Sequence, residues 1–288
     1  MTADTSTPHP PLEGHDEAHR TTGWEPDAPI GDTLLRRFVF NLATTAENPI
    51  AAMGGRVARR AEFAAADLGR PAGYWNGATL LQPLPADPAP RDAVLDAIEG
   101  FFDGAGSGDL LLWSAWPTPD LRPRGWLLEG HPPLLIRPVG PPPETPAPHG
   151  LRIEAVTDAA GLRDFEQVTV EGYPFAELQP LTPGSLFDER VLGDERLRLW
   201  VGYDDAERPA VVGALCVAHG LAGFMLGVTM PYARHRGYWA AMARHRLRAC
   251  PDLPAAGVFS DMSRPGAERL LGFLPITRCT LWTRRRPR

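Results

Sequence analysis

The residues best suited to chemistry lie in one stretch, residues 228–242, which reads VTMPYARHRGYWAAM. An apolar run ends at Met230, and a turn rich in Arg, His and Gly leads directly into a helical pattern. Backbone N–H groups at such a turn, together with a helix N-terminus, form a site for an anion such as a diphosphate. Gly237 allows the backbone to approach that anion closely. The stretch therefore predicts an anion-binding turn between a strand and a helix.

The local charge supports an anionic ligand in this region. Residues 234–248 contain five Arg, two His and no acidic residue, although the whole chain has a net charge of −6. A solvated basic helix after a turn has the same composition, and that alternative stays open at this point. All 29 basic residues are Arg, and the absence of Lys excludes Schiff-base catalysis and a P-loop lysine.

Composition disfavours several other classes of protein. The acidic balance and the lack of aromatic residues interleaved with the basic residues argue against a nucleic-acid partner. No apolar run is long enough to span a bilayer, so no membrane partner is expected, and the N-terminus lacks the order of a signal peptide. Cys216, Cys250 and Cys279 show no paired spacing. We therefore expect reduced thiols, no metal site and a cytoplasmic protein.

The elements that must position this stretch divide into two lobes. Residues 1–31 are polar and Pro-rich, and they are predicted to form a flexible tail. A helix beginning near Asp32, followed by strands and a second helix, predicts a smaller α/β lobe over residues 32–139. A Pro-rich linker, residues 140–150, then separates this lobe from a second one, residues 151–288.

The second lobe has the clearer pattern. Its hydrophobic periodicity predicts the order β-α-loop-β-β-β-α-β-α-β. Thr157 and Asp158 supply the N-cap of the first helix, and Gly220 supplies a hairpin turn between two strands. A single closing strand is predicted over residues 276–283. This order predicts an α/β (α+β) fold with a mixed, mostly antiparallel sheet flanked by helices.

Two ordered motifs in this lobe resemble those of the GNAT-type N-acetyltransferase superfamily. The first is a strand ending in Val-x-x-Pro and then Arg-x-x-Gly at the start of a helix, here Val228, Pro231, Arg234 and Gly237. The second is a Ser-containing loop, a short helix and Leu-Gly-Phe, within residues 260–273. The resemblance covers about half of the chain and implies the acyl-CoA N-acyltransferase (GNAT) fold. Whether the first lobe is a diverged half-copy of that fold is left open.

The resemblance also implies a function. It implies transfer of an acetyl group from acetyl-CoA, as co-substrate, to the amine of a small molecule or amino-acid-like substrate by direct attack. The backbone of Val228, Thr229 and Met230 is then expected to bind the thioester carbonyl. The residues expected to hold the diphosphate form the turn and helix start, namely Arg234, His235, Arg236, Gly237, Tyr238 and Trp239.

Candidates for the catalytic base and acid follow from residue type and position. Glu171, at the end of the first helix, is the first candidate for the base, and His219 is the second. Tyr173 is a candidate acid, and packing or surface roles for Glu171 and Tyr173 stay open. Glu268 stands four residues before Gly272, where members of the superfamily often carry the Tyr that protonates the leaving thiolate. Glu268 is therefore a further candidate near the thioester.

Trp239 and Glu268 also motivate an alternative function. The superfamily motif has Gly or Ala where this chain has Trp239, and an ionised Glu268 cannot donate a proton. The alternative is a protein with the same fold and a degenerate cofactor site, acting as a binding module or in different chemistry. Trp239, Ala243 and Leu247 also fall at helical spacing, so a packing role for Trp239 is open. A homodimer through a strand edge near the C-terminus is left open too.

Overall fold

A computed structural model describes residues 34–286 except 105 and 174. The predicted tail, residues 1–31, and the expected cap near Asp32 lie outside the described residues. The first part of the chain forms α1 (Leu34–Ala52), β1 (Arg56–Arg59), β2 (Phe63–Asp67), β3 (Gly77–Leu80), α2 (Pro88–Phe102), β4 (Asp109–Ser114), β5 (Leu127–Gly130) and β6 (Pro133–Arg137). The second part forms β7 (Arg152–Ala155), α3 (Ala159–Gly172), β8 (Leu197–Tyr203), β9 (Pro209–Ala218), β10 (Leu221–Thr229), α4 (Tyr238–Arg248), β11 (Ala255–Val258), α5 (Arg264–Leu271), β12 (Leu274–Arg278) and β13 (Thr280–Arg285).

The strands form two sheets. One has six strands in the order β1-β2-β3-β4-β13-β5, and the other has seven in the order β12-β6-β11-β10-β9-β8-β7. Within the described residues, β3–β4 and β10–β11 are the parallel pairs and the other neighbours are antiparallel. The predicted mixed, mostly antiparallel α/β architecture with flanking helices is therefore confirmed.

Local signals in the second lobe were predicted correctly. The side chain of Asp158 accepts a hydrogen bond from the N–H of Gly161 and caps α3. Gly220 joins β9 to β10 with a φ of +66°, a conformation that favours glycine. In the first lobe, β1, β2 and β5 were not predicted, since β2 reads FAAAD and carries no strong strand propensity.

Two strands cross between the sheets. β6 belongs to the first part of the chain, yet it pairs with β11 and β12 in the seven-stranded sheet. β13, at the C-terminal end, pairs with β4 and β5 in the six-stranded sheet. The prediction of one closing strand over residues 276–283 was wrong, because the chain turns at Cys279 and forms two strands in different sheets. A strand pattern reports which residues alternate, but not which neighbour they pair with.

The first helix joins the two halves. α1 packs on β2 and β3 of one sheet and on β9 and β10 of the other. Its buried Asn41 donates from Nδ2 to the carbonyl oxygens of Cys216 at 2.9 Å and Ala218 at 3.1 Å. A side chain at Gly223 would collide with Asn41, so glycine is needed for this close approach. α1 therefore forms one wall of the space between the sheets.

The outer surfaces bear on two further expectations. β12 lies at the edge of its sheet, and all five of its residues are exposed. A homodimer through this edge stays a prediction. Among the described helices, none combines the length and the apolar character that a membrane span requires.

Candidate functional site

Strand β10 separates from β11 partway along its length. Their pairing runs from Ala222 to Phe224, and β11 ends one residue later at Val258. A β-bulge follows in β10 between Met225 and Val228, where Leu226 has a φ of +47°. Beyond the bulge β10 continues paired with β9 alone, so one side of its backbone faces the space that the separation opens.

The end of β10 directs one residue into this space. The N–H of Met230 donates to the carbonyl oxygen of Ala210 at 2.9 Å. Because alternate residues of an antiparallel strand point their backbone groups to opposite sides, Thr229 points its N–H and C=O away from β9. The expectation that Met230 offers a free N–H was therefore wrong, and Thr229 is the residue of the three whose N–H faces the opening.

The predicted turn and helix start form the outer part of the site. Gly237 is the N-cap of α4 with a φ of +79°, and a Cβ there would meet nothing closer than 3.9 Å. His235 and Arg236 are exposed. The first N–H groups of a helix have no acceptor within it and point out of its N-terminus. This arrangement presents backbone donors and basic side chains to solvent, and their binding of an anion stays a prediction. Tyr238 instead is buried, with its hydroxyl 3.5 Å from the carbonyl oxygen of Gly150.

Arg234 folds back from the turn. Its Nε lies 3.3 Å from the carbonyl oxygen of Thr229, and its Nη2 lies 3.3 Å from that of Gly172. The guanidinium therefore joins the end of β10 to the end of α3. It borders the opening beside β10, on the inner side of the exposed turn.

Trp239 lies across the outer part of the opening. A Cβ on Gly266 of α5 would be 3.2 Å from its Cζ3, and one on Gly227 of β10 would be 3.5 Å from its Nε1. The indole thus spans from β10 to α5, and it meets Phe259 edge-on with ring centroids 6.5 Å apart. It packs on the core, as helical spacing allows, and it is also a wall of the opening.

The end of α3 brings Tyr173 to the bulge. Gly172 passes so close to β10 that a Cβ would lie 2.7 Å from a methyl group of Val228. The hydroxyl of Tyr173 then donates to the carbonyl oxygen of Gly227 at 3.3 Å. Burial raises the pKa of Tyr173 further above its usual value, so the phenol stays neutral. Glu171 is half-buried and does not border the opening, and its role as base stays a prediction.

The other candidate acid and base lie elsewhere. Glu268 pairs with Arg264 on the same turn of α5, with Nε and Oε1 2.5 Å apart. Its carboxylate is therefore occupied, and it does not border the opening. His219 lies at the β9–β10 turn, where its Nε2 is 2.9 Å from the hydroxyl oxygen of Thr44. Burial lowers the pKa of His219 below its usual value.

The opening continues inward as a cavity of about 740 Å³ between the two sheets. Its outer end is formed by Trp239, α5 and the loop that precedes it, and its inner end by α1, β2 and β3. Tyr173, the bulge of β10 and Thr229 lie along its side. A volume in this range suits a small ligand or the reacting ends of two ligands. The first lobe therefore supplies much of the wall.

Sequence reasoning also missed Arg246, which lies beneath the bulge. This side chain of α4 is 2% exposed and borders the cavity. Its Nη1 donates to the carbonyl oxygens of Ala214 and Met225, both at 3.1 Å. Burial lowers its pKa to about 9, which leaves the guanidinium protonated at neutral pH. In the sequence, Arg246 was one of five Arg in a basic stretch, and nothing distinguished it from solvated neighbours.

Several solved structures match the fold of this protein over most of its chain. A GCN5-related N-acetyltransferase from Kribbella flavida is 17% identical, with a TM-score of 0.59 over 84% of this chain and 95% of its own. An acetyltransferase of the GNAT family from Novosphingobium aromaticivorans is 16% identical, with a TM-score of 0.58 over 89% and 100%. A conserved protein of unknown function from Staphylococcus epidermidis is 12% identical, with a TM-score of 0.56 over 82% and 96%.

No family model and no curated protein matches the sequence. The structural likeness covers both lobes, whereas the motifs of the sequence covered only the second. At sequence identities of 12–17%, the likeness shows the fold alone. This chain has the fold of the GCN5-related N-acetyltransferases over most of its length.

Proposed function

We propose that this protein is an acyl-CoA-dependent N-acyltransferase that moves an acetyl group to the amine of a small molecule. The observation that carries the proposal is the open side of β10 at Thr229, which lies between the exposed start of α4 and the cavity. A thioester and an amine need such a place, where backbone donors face a space that the protein partly encloses.

The residues present fit the two ends of acetyl-CoA. The N-terminus of α4, with Gly237 at its cap and Arg236 exposed beside it, suits the diphosphate. The N–H of Thr229 suits the thioester oxygen, where it would stabilise the negative charge that develops during attack. The structure gives less support to the proposed contacts of His235, Tyr238 and Trp239 with the co-substrate. Tyr238 is buried, and Trp239 forms part of the cavity wall.

Proton transfer is assigned to the end of α3. The neutral phenol of Tyr173, held at the carbonyl of Gly227, is the proposed acid for the leaving thiolate. Glu171 remains the proposed base for the incoming ammonium; it does not border the cavity itself but precedes Gly172, which does. Glu268 is the weakest of the proposed catalytic residues, since its carboxylate is paired with Arg264 and does not border the cavity.

The first test is calorimetric titration of the full chain with acetyl-CoA, with CoA as the control. Micromolar binding, followed by thiol release with an amine from a panel of small amines, is the expected result. Absence of binding at millimolar acetyl-CoA would contradict the proposal.

The role of Tyr173 has a separate test. We expect Tyr173→Phe to lower the kcat of thiol release about 100-fold with little change in acetyl-CoA affinity. Tyr203→Phe is the matched control, because Tyr203 lies outside the cavity and its hydroxyl donates to Asp164 at 2.8 Å. An unchanged kcat in Tyr173→Phe would remove this residue from the mechanism.

A second candidate function is ligand binding without acyl transfer. The position of the Trp239 indole between Gly227 and Gly266 favours it, because the ring narrows the outer end of the opening. Trp239→Ala separates the two functions. If the indole obstructs acetyl-CoA, the variant binds it several-fold more tightly than the parent does. If affinity stays equal or falls, the indole is part of the acetyl-CoA site or of the core.

A further inference from the structure

Arg246 is buried in a space that two glycines provide. A Cβ on Gly213 of β9 would lie 2.7 Å from its Nε, and one on Gly227 of β10 would lie 2.9 Å from its Nη2. The guanidinium therefore passes beneath both strands at the bulge. Its carbon Cζ lies 4.2 Å from the ring centroid of Phe224, which adds a cation–π contact.

The hydrogen bonds of Arg246 are incomplete. Nη1 donates to two carbonyl oxygens, and one of them, that of Met225, lies where the bulge interrupts the strand pairing. Nε is buried and has no acceptor among the described residues, and no hydrogen bond from Nη2 occurs among them. No carboxylate of the described chain lies within ion-pair distance of this guanidinium.

A second unpartnered group borders the same cavity. The hydroxyl of Thr229 is buried and has no partner among the described residues. Among the residues that the structure describes, the charged ones that border the cavity are Arg246, Arg234 and Glu47, and Glu47 is paired with Arg59. The end of the cavity near the bulge is therefore positive, with donors and no anion to receive them.

Such an arrangement is costly in the folded protein. A buried charge without a counter-charge destabilises the fold, and a buried donor without an acceptor adds to that cost. Bonding two carbonyl oxygens accounts for Nη1, and a neutral donor would serve there equally well. The positive charge and the remaining donors are explained by an anionic group that enters the cavity.

We propose that Arg246, assisted by the hydroxyl of Thr229, binds a carboxylate of the substrate inside the cavity between the sheets. This inference deepens the proposed function, on which its substrate arm rests. The carboxylate belongs either to the acceptor, as in an amino acid, or to the acyl group, as in a dicarboxylic acyl thioester. A dianionic phosphate fits less well, because Arg246 is a single charge and Arg234 is engaged with carbonyl oxygens.

The binding test uses the full chain and two probes of the same shape, N-acetylglycine and N-acetylglycinamide, titrated by calorimetry. We expect the carboxylate to bind at least about tenfold more tightly than the amide, since bonds to charged groups exceed neutral ones. Arg246→Met removes this preference. Arg244→Met keeps it, because Arg244 is also buried on the same helix, at 6% exposed, but does not border the cavity.

Thr229→Val provides a second variant that keeps the shape and the charge of the cavity. It is expected to weaken N-acetylglycine binding several-fold and to leave N-acetylglycinamide unaffected. Equal binding of the two probes by the parent chain, or an undiminished preference in Arg246→Met, would overturn the inference. If Arg246→Met does not fold, an undiminished preference in both Thr229→Val and Arg246→Gln, which keeps a donor but removes the charge, would overturn it.

The source of the carboxylate is resolved by thiol release. In one arm, acetyl-CoA is supplied with glycine or ethylamine, and in the other, ethylamine is supplied with succinyl-CoA or acetyl-CoA. A preference for glycine that Arg246→Met abolishes assigns the carboxylate to the acceptor, and a preference for succinyl-CoA assigns it to the acyl group. Carboxylate binding without any thiol release refutes the acyltransferase and leaves the anion site, whereas thiol release without carboxylate preference does the reverse.

Discussion

Two regions of this molecule each bury an arginine, and they treat it in opposite ways. Behind β13, Arg286 forms a two-bond ion pair with buried Asp67, with N–O distances of 2.9 and 3.0 Å. Its remaining donors bond the carbonyl oxygens of Ser107 and Gly108. Beneath the bulge of β10, Arg246 has two carbonyl partners and no carboxylate among the described residues.

The difference separates a structural charge from a functional one. Arg286 completes the exchange of β13 into the six-stranded sheet, since it joins the end of β13 to β2 and to the loop before β4. All of its neighbours are supplied by the chain. Arg246 is buried more deeply than Arg286, but the described chain leaves part of its donors without acceptors, which the proposed carboxylate would supply. Unfilled hydrogen-bond donors on a buried side chain, rather than burial alone, therefore indicate a binding site.

The largest expected effect on stability is at Arg286, whose donors are bonded within the chain. Arg286→Met should lower the free energy of unfolding by about 3–5 kcal/mol, because it leaves the buried carboxylate of Asp67 without its main partner. Urea unfolding followed by circular dichroism measures the change. Arg56→Met is the control: its side chain is 53% exposed in its ion pair with Asp67, and a loss of about 0.2–1 kcal/mol is expected. Equal losses in the two variants would contradict the structural role of Arg286.

Low pH should destabilise the protein through the same ion pair, Asp67 with Arg286, but with a smaller effect. Burial alone would raise the pKa of Asp67, but hydrogen bonds from Arg286, Gly69 and Arg56 lower it below its usual value. A carboxyl with a lowered pKa in the fold contributes stability above its unfolded pKa, about 3.9, and loses it as the pH falls further. Between pH 4 and pH 2, Arg286→Met should therefore lose less stability than the parent does. Parallel pH profiles of the two unfolding free energies would argue against this.

The smallest effect on stability is expected at Arg246, whose donors are only partly bonded within the chain. Arg246→Met should change the free energy of unfolding by no more than about 1 kcal/mol, because relief from burying a lone charge offsets the lost carbonyl bonds. The same urea titration measures it, beside Arg286→Met. A loss as large as that of Arg286→Met would make Arg246 a structural residue and would end the contrast.

Much of the second lobe was predictable because its signals are local. Gly220 at the hairpin, Asp158 at the cap of α3 and Gly237 at the start of α4 each act on neighbouring backbone, so residue type was sufficient. The turn that begins α4 was predicted for the same reason, and anion binding there stays a prediction. Tyr173 was named from its position after a helix, but its place beside Gly227 depends on how closely Gly172 passes β10.

The rest depended on contacts between distant parts of the chain. β6 and β13 each join the sheet formed mainly by the other part of the chain. The sequence could not predict this, because an alternating pattern of residues does not indicate which strand is the neighbour. Arg246 looked like one more solvated charge, because the space that buries it comes from glycines on two other strands.

The sequence by itself determined the order of helices and strands in the second lobe as far as α5 and the turn that begins α4, since propensity and capping act over a few residues. The tertiary structure decided which sheet each strand joins, the cavity between the sheets and the partners of each buried charge. Those features arise where α1, β10 and α4 meet, and contacts between distant residues form only when the whole chain is packed.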